Sequence, residues 1–352
     1  MVFRQQLYGK AMEYAGNLYI GAIQVLSRLK WIESPRCDTD ILGQGLFCYR
    51  LDRAWCKANR LDTPVNNCHE MVIDSQQRLY LLTDHPHNNI IVLSTAGDVL
   101  NRWTLHSRGA HGLTLAQDGH GEHLWICDPY CPSVVKTSLE GERLFTLPNP
   151  AEIGVYTRSM PYAPTQTAVA ANGTVYVADG YGSQFILQFD AQGNYIRHFG
   201  GKGTEPINLD FAHGIAIDTR DPDNPVLLVT SRKASCIKRF TLEGDYLGQI
   251  DLPGGYPCRP VVYGDTLLVS LCWSEAHLKA NSGFVIILDE NNRVCGTLGG
   301  HAEFDMNGQL TGLKSDYSTF CHVHDVCADS TGNLYVCQWN AGKTYPFKLC
   351  AL

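Results

Sequence analysis

Four histidines stand at the same position of an internal repeat, and they are the residues of this chain best suited to chemistry. The repeated phrase reads FAHGIAID at residues 211–218 and contains His213, with related phrases around the other three members: His69, His111 and His324. Neutral imidazoles are the commonest zinc ligands, and three of them with an open fourth position form a catalytic site. A single histidine here would more simply bond neighbouring backbone. Four in one register predict a metal or substrate site.

The elements that must position these histidines are short β-strands. Each repeat contains about four apolar, alternating stretches separated by Gly, Asn and Asp turns, and no helical stretch that would favour a βαβ unit. This pattern and period are typical of propeller blades. The predicted blades are 69–103, 111–147, 165–199, 213–252, 259–298 and 324–349. The sequence therefore predicts an all-β, six-bladed β-propeller.

The two ends of the chain complete this prediction. The last repeat has one strand too few, and residues 47–55 alternate like a strand that has no repeat of its own. Pairing the two would close the ring and leave no open sheet edge. Apolar residues at helical spacing before this strand predict a short helical extension. We therefore expect an N-terminal extension over residues 1–45 and a propeller over 46–352.

Propeller geometry places further polar residues beside the histidines. First strands line the channel, so the histidines that open them should meet at its top face. Turns after the second strands return to the same face, and the long links 148–164 and 299–320 would wall it. His322 lies two residues before His324 and so on the same side of that strand. The residues expected here as substrate contacts are Asp84, His85, Tyr130, His322 and Trp339.

Composition narrows the class of partner. The net charge of −7 gives no support to a nucleic-acid surface. The apolar run near the start is too short and too Gly-interrupted to span a membrane, and no cleavable signal is recognised. The 14 cysteines include no zinc-finger pair, and most lie in apolar runs as free thiols. We expect a cytoplasmic protein with a small-molecule substrate; the oligomeric state is left open.

At this point the motifs resemble a known family. The repeats are similar to NHL repeats, and over about residues 47–349 the constellation resembles peptidyl-α-hydroxyglycine α-amidating lyase, itself a six-bladed propeller. The motifs that carry the resemblance are HGL at 111–113, HGI at 213–215, HDV at 324–326, ADGY at 178–181 and TSR at 230–232.

The resemblance implies a set of roles. It implies zinc ligation by His111, His213 and His324, a catalytic Tyr181, and an active-site Arg232. It also implies a structural calcium ion bound by Asp325 and by backbone carbonyls, one of which falls at Leu113.

Two departures from the family pattern alter the expected substrate. Asp84 stands where the family has a second arginine, and His69 stands where it has a small residue. The first change removes a cation that would hold a substrate carboxylate. The second adds a fourth metal ligand or a proton-transfer group.

The leading hypothesis is a metal-dependent lyase that cleaves a C–N or C–O bond of a small polar substrate. Zinc or another divalent transition metal would act as Lewis acid. Tyr181, with a lowered pKa, would be the general base, and Arg232 would stabilise oxyanion charge. Two alternatives stay open: a metal-dependent hydrolase or lactonase of a sugar derivative, and a non-catalytic scaffold that binds a peptide or protein on the top face.

Overall fold

A computed structural model describes residues 40–352 of the chain. It contains six antiparallel sheets arranged as blades around a central channel, with a single 3-10 helix among the described residues. The first strands of neighbouring blades contact one another all the way round, so the ring is closed. The all-β, six-bladed prediction is confirmed.

Five blades are built from strands in simple up-and-down order, with the first strand innermost. Blades 1 and 2 consist of β3 (Cys68–Ile73), β4 (Leu79–Thr83), β5 (Ile90–Leu93), β6 (Val99–Trp103), then β7 (Gly112–Asp118), β8 (Gly121–Asp128), β9 (Ser133–Thr137) and β10 (Arg143–Thr146). Blades 3 and 4 consist of β11 (Gln166–Val169), β12 (Val175–Ala178), β13 (Phe185–Phe189), β14 (Tyr195–Gly200), then β15 (Ala212–Asp218), β16 (Val226–Ser231), β17 (Cys236–Phe240) and β18 (Tyr246–Asp251). Blade 5 consists of β19 (Gly255–Tyr263), β20 (Thr266–Ser274), β21 (Phe284–Leu288) and β22 (Val294–Leu298).

The sixth blade joins the two ends of the described chain. Its inner strands are β25 (Val323–Ala328), β26 (Leu334–Gln338) and β27 (Phe347–Ala351), and β2 (Phe47–Asp52) pairs antiparallel with β27 on the outside. A further strand, β1 (Ile41–Gln44), forms a hairpin with β2 and makes this sheet five-stranded. The predicted helical extension falls mainly on residues 1–39, which lie outside the described residues.

Turn chemistry recurs from blade to blade and explains why the strands end where they do. In blade 3, the Asp190 carboxylate accepts backbone hydrogen bonds from Gln192 (2.9 Å) and Asn194 (2.8 Å). Gly193 then adopts a φ of 81°, which is the left-handed region that glycine enters without steric cost. The turn reverses the chain between the third and fourth strands.

The core lies within and between the three inner strands of each blade, whose apolar side chains are almost wholly buried, while outer strands such as β10 are exposed. Five cysteines expected as free thiols in apolar runs are free and buried: Cys127, Cys236, Cys272, Cys327 and Cys337. Among the described residues, no helix has the length and apolarity needed to cross a bilayer.

The link over residues 299–320 is more ordered than a long loop. It contains a two-stranded hairpin, β23 (Gly300–Phe304) with β24 (Leu310–Ser315). The backbone N–H of Ser315 donates to the Ser274 hydroxyl (3.0 Å), which fixes the hairpin against blade 5. The link over 148–164 is built from turns, and the Tyr156 hydroxyl anchors it to Asp179 (3.0 Å).

A β-bulge near the start of the first strand aims side chains into the channel. The register of pairing with the second strand shifts around His69 in blade 1, His213 in blade 4, Cys258 in blade 5 and His324 in blade 6. Bulges re-aim side chains and are frequent beside functional sites. Here they produce two successive layers of side chains across the channel.

Candidate metal centre

The upper layer consists of one residue from each blade. We call it the histidine layer, and its members in blade order are His69, His111, Thr165, His213, Cys258 and His324. The next residue of each blade forms the second layer: Glu70, Gly112, Gln166, Gly214, Arg259 and Asp325.

The four histidines of the upper layer meet at the axis. Ring centroids of His111 and His213 lie 4.7 Å apart, those of His213 and His324 4.9 Å, and those of His69 and His324 4.9 Å. One ligand atom each from His69, His111 and His324 fall within 4.8 Å of one another, and so do atoms of His213, Cys258 and His324. All are buried. The structure thus brings together every histidine that the repeat register selected.

Hydrogen bonds fix the chemical form of two of these rings. Nδ1 of His111 lies 2.9 Å from the Thr165 carbonyl oxygen, and Nδ1 of His324 lies 3.0 Å from that of His69. A carbonyl can only accept, so Nδ1 carries the proton and Nε2 presents a lone pair. Metal-bound histidines are oriented by such bonds from behind. Burial, with neighbouring positive groups, holds the pKa of both rings well below the ordinary value, so they are neutral ligands at pH 7.

The centre of the cluster has unsatisfied hydrogen-bonding capacity. Nε2 of His111 and Nε2 of His213 are 3.1 Å apart, a separation that requires a shared proton or a cation between two lone pairs. Nδ1 of His69 and Nδ1 of His213 are buried without a hydrogen-bond partner. Unpaired buried polar atoms cost free energy, so they indicate a missing partner. The donor set fits a divalent transition metal.

Tyr181 reaches this cluster from the turn after β12. Its hydroxyl lies 2.9 Å from Nε2 of His111 and 3.1 Å from Nε2 of His213. The pKa of this phenol shifts in the direction opposite to the expected lowering: burial raises the pKa of Tyr181, and the positive charge of Arg232 only partly opposes this. Tyr181 is therefore a protonated phenol in direct contact with the imidazoles.

Arg232 begins the 3-10 helix (Arg232–Ala234) and is also buried beside the cluster. Its guanidinium donates to the Cys258 sulfur (2.7 Å) and to the Pro257 carbonyl (3.2 Å), and it stacks 5.2 Å from the ring centroid of Trp273. The positive charge thus lies behind the histidine layer, covered on one side by an aromatic ring.

Asp84 is paired with His69. The Asp84 carboxylate lies 3.6 Å from Nε2 of His69, and it is held there by the backbone N–H (2.9 Å) and the side-chain amide (2.7 Å) of Asn67. Burial alone would raise the pKa of Asp84, but its bonds to His69 and Asn67 hold that pKa below the ordinary value. With Nε2 facing the carboxylate, Nδ1 of His69 is the unpaired atom left for the cluster.

The other expected substrate contacts take different places. The ring of His85 packs on that of His87 (centroids 5.7 Å apart) and not on the histidine layer, whereas Tyr130 is 49 % exposed on the rim. His322 precedes β25 with a φ of 51°. That left-handed backbone turns it away from the side of the strand that His324 uses.

His322 instead belongs to an aromatic wall beside the site. Its ring centroid lies 6.1 Å from Trp339 and 6.3 Å from Trp273, and its Nε2 is buried without a hydrogen-bond partner. Trp339 and His277 also pack on Trp273 (6.4 and 4.9 Å). His277 does not share the repeat position of the four histidines, and the sequence therefore predicts a surface residue. In the structure it is half-buried in this wall.

Cys258 is a site residue that the search for repeated histidines misses. It occupies the histidine-layer position of blade 5, is fully buried, and accepts the hydrogen bond from Arg232. Burial by itself would raise the pKa of its thiol, but a hydrogen bond with Cys272 and the charge of Arg232 hold that pKa below the ordinary value. The sequence feature that could have identified Cys258 is its position in the fifth repeat: directly after Pro257, it stands where four other repeats have a histidine.

Of the residues expected to bind calcium, Asp325 lies in the second layer and Leu113 follows its blade 2 member Gly112, and both are already engaged. Both carboxylate oxygens of Asp325 accept hydrogen bonds from Arg259 (3.0 and 2.7 Å), and the Leu113 carbonyl accepts another from the same guanidinium (3.1 Å). The Glu70 carboxylate accepts from the Leu113 N–H (2.6 Å) and from Gln166 (2.5 Å). Burial raises the pKa of Glu70 to about 8. Sequence reasoning had assigned no role to Arg259 or Glu70.

Comparison with known proteins gives distant relatives of one kind. The chain is 28 % identical over 149 residues to a probable peptidyl-α-hydroxyglycine α-amidating lyase of Caenorhabditis elegans. The matched region covers 42 % of this chain and 41 % of the relative. It is 25 % identical over 258 residues to peptidyl-α-hydroxyglycine α-amidating lyase 1 of Drosophila melanogaster, with coverages of 67 % and 44 %. The chain therefore spans less than half the length of these curated relatives. No protein-family model matches it.

Solved structures give the same architecture at low identity. A streptogramin B lyase superposes with a TM-score of 0.56 at 12 % identity. The superposed region covers 86 % of this chain and 97 % of the lyase. A gluconolactonase from Xanthomonas campestris superposes with a TM-score of 0.57 at 16 % identity, with coverages of 90 % and 96 %. At such identities the likeness concerns the fold alone. The chain is a six-bladed β-propeller with distant sequence similarity to peptidyl-α-hydroxyglycine α-amidating lyases.

Proposed function

We propose that this propeller is a metal-dependent lyase that cleaves a C–N or C–O bond of a small polar substrate at the top of the channel. The observation that carries the proposal is the Tyr181 hydroxyl, which lies 2.9 and 3.1 Å from two imidazole nitrogens at the centre of a buried four-histidine cluster. A rim aromatic with no chemical role would not need to place its hydroxyl there.

The residues that would hold the metal are His111, His213 and His324, with Nδ1 of His69 as a further donor. The Cys258 sulfur lies within 4.8 Å of ligand atoms of His213 and His324. A bound divalent transition metal supplies a Lewis acid for a substrate hydroxyl or carbonyl. The neutral, pre-oriented imidazoles described above are the form that such an ion requires.

Tyr181 would carry the proton. In a lyase reaction on a carbon that bears a hydroxyl, the hydroxyl loses its proton, its oxygen forms a C=O bond, and the C–N or C–O bond breaks with its electron pair. The departing atom then gains a proton, so one residue that moves a proton from the first oxygen to the leaving atom is sufficient. The charge of Arg232 favours the phenolate and opposes the effect of burial on Tyr181.

The substrate we propose is a small polar molecule without a carboxylate at the Asp84 side of the site. Asp84 is a carboxylate held in place by Asn67, so it would repel an anion that an arginine would bind. Arg232 is covered by Trp273 and already bonds Cys258. The altered charge supports a substrate different from that named in the relatives. Rim-exposed Tyr130, and Trp339 in the aromatic wall, would contact its distal part.

Metal content is the first test. Protein purified without chelators should contain one zinc or other transition-metal ion per chain by elemental analysis, and His213→Ala should lose it. His301→Ala, which changes an exposed histidine on β23, is the matched control and should keep it. A wild-type chain that holds no metal after incubation with zinc would contradict the proposal and favour the non-catalytic scaffold.

Turnover is the second test. Tyr181→Phe should reduce turnover at least about 100-fold, the usual contribution of a general acid–base residue, with metal content unchanged. Tyr246→Phe, on the outer strand of blade 4, should change neither. The substrate panel should include hydroxyl-bearing C–N and C–O compounds, a peptidyl-α-hydroxyglycine and a sugar lactone. Hydrolysis of the lactone alone would replace the lyase with the alternative hydrolase.

A further inference from the structure

The second layer of the channel contains a cation that belongs to the protein. Arg259 leaves blade 5 from the bulge of β19, and its guanidinium crosses the channel to three other blades. Nε and Nη2 donate to the two carboxylate oxygens of Asp325 (3.0 and 2.7 Å) in blade 6. Nη1 donates to the Leu113 carbonyl (3.1 Å) in blade 2, and Nη2 donates to the Met71 carbonyl (3.1 Å) in blade 1.

The oxygens around this guanidinium are the kind that calcium takes. Calcium prefers carboxylate and backbone carbonyl oxygens from several segments, six to eight in number. Asp325, Leu113 and Met71 supply such oxygens, and the Glu70 carboxylate lies 3.9 Å from Nη1. Each of these groups already accepts a hydrogen bond, either from Arg259 or, for Glu70, from Leu113 and Gln166. A calcium ion placed among them would displace those bonds and meet a like charge.

We infer that the guanidinium of Arg259 replaces a structural calcium ion as the cation that joins the blades at the axis. The guanidinium neutralises the Asp325 carboxylate through a bidentate pair. Its remaining N–H groups donate to two backbone carbonyls, which a calcium ion could also have bound. The protein therefore holds its channel together without calcium. This inference concerns the second layer and does not depend on the activity proposed for the histidine layer.

The test is calcium added alone to full-length protein that has been freed of metal ions by a chelating resin. The wild-type melting temperature should not change with calcium at millimolar concentration. Arg259→Ala leaves the buried Asp325 carboxylate without its cation, and its melting temperature should fall by roughly 5–15 °C. Calcium should then restore at least half of this loss, because the exposed oxygens become a metal site.

Arg220→Ala is the matched control. Arg220 makes a similar buried bidentate pair with Asp218 (2.9 and 2.7 Å) and bonds the Asp289 carbonyl. It lies just beyond the end of β15, whereas Arg259 lies in the middle of β19, and it faces one carboxylate only. Its melting temperature should fall and should not recover with calcium. If wild-type protein binds one calcium ion that Asp325→Asn abolishes, the inference is overturned. That measurement also decides the question if Arg259→Ala does not fold.

Discussion

At the scale of single residues, the imidazoles differ in what orients them. His111 and His324 are held by backbone carbonyls, which no substitution can remove, whereas His69 is held by the Asp84 side chain. Carboxylates behind metal-bound histidines commonly raise metal affinity 10–100-fold. The role of His69 can therefore be tested through its partner without touching the ring itself.

We predict that Asp84→Asn weakens metal binding roughly 10–100-fold, because the amide no longer provides the negative charge that orients His69. A competition titration against a chromophoric chelator measures this. Asp128→Asn is the control, since Asp128 holds the equivalent turn of blade 2 through the Ser107 hydroxyl and backbone N–H groups. Equal affinities for both variants would exclude His69 from the ligand set.

The sequence predicts the histidine layer well and the second layer poorly, for a physical reason. Repetition of one residue type in one register is visible in the chain, so the convergence of the four histidines could be expected, whereas the role of Tyr181 was expected only through the resemblance. Cys258 and Arg259 break the repetition, and a cysteine or arginine alone usually packs or is solvated. Their roles depend on a bulge that turns two successive side chains into the channel, and a bulge leaves no clear mark in composition.

At the scale of elements, the turn after β12 determines where the Tyr181 hydroxyl stands. The fully buried Asp179 carboxylate accepts hydrogen bonds from the Ala163 N–H (2.6 Å), the Ser183 N–H (2.7 Å) and the Tyr156 hydroxyl (3.0 Å). These bonds fasten the turn to the link over residues 148–164. Burial raises the pKa of Asp179 to about 7, against the effect of its three donors.

We predict from this pKa that unfolding stability falls as pH rises from about 4 to about 7. The folded protein binds the Asp179 proton in this range and the unfolded chain does not, so each pH unit costs up to about 1.4 kcal/mol. Asp179→Asn should flatten this part of the profile of unfolding free energy against pH. The variant should also be less stable than wild type by about 1–3 kcal/mol at pH 7, because an amide cannot accept from all three donors. If Asp179→Asn leaves the slope of unfolding free energy against pH unchanged, the three hydrogen-bond donors outweigh burial in setting the pKa of Asp179.

The elements themselves were mostly readable. Alternating apolar runs and turns of Gly, Asn and Asp predicted the blades, since both patterns have a direct cause in strand pairing and turn geometry. The hairpin of β23 and β24 was missed although it uses the same chemistry: the Asp305 carboxylate accepts from the N–H groups of Asn307 and Gln309 (2.8 Å each), and Gly308 has a φ of 76°. Because residues 299–320 lie outside the blade repeat, the sequence pattern predicts a long link there rather than strands.

At the scale of the whole molecule, the sixth blade combines strands from the two ends of the described chain. β2 pairs with β27 in register, with Leu51 opposite Leu349 and Arg50 opposite Cys350. Leu51 and Leu349 are both buried in the largest apolar cluster of the described residues, which links blades 4, 5 and 6. Because the four histidines of the histidine layer come from four blades, any loss of ring closure also separates them.

Two leucines of the same hairpin allow a matched test of this closure. Leu51→Ala should lower the free energy of unfolding by about 2–5 kcal/mol, since it removes a buried side chain between β2 and the sixth blade. Leu46, in the turn between β1 and β2, is 96 % exposed, so Leu46→Ala should change it by less than about 0.5 kcal/mol. Denaturant unfolding followed by tryptophan fluorescence measures both, with and without zinc. The proposed zinc site exists only in the closed ring, so zinc should stabilise Leu51→Ala by the same increment as wild type. A smaller increment would mean that the histidines separate before the blades unfold.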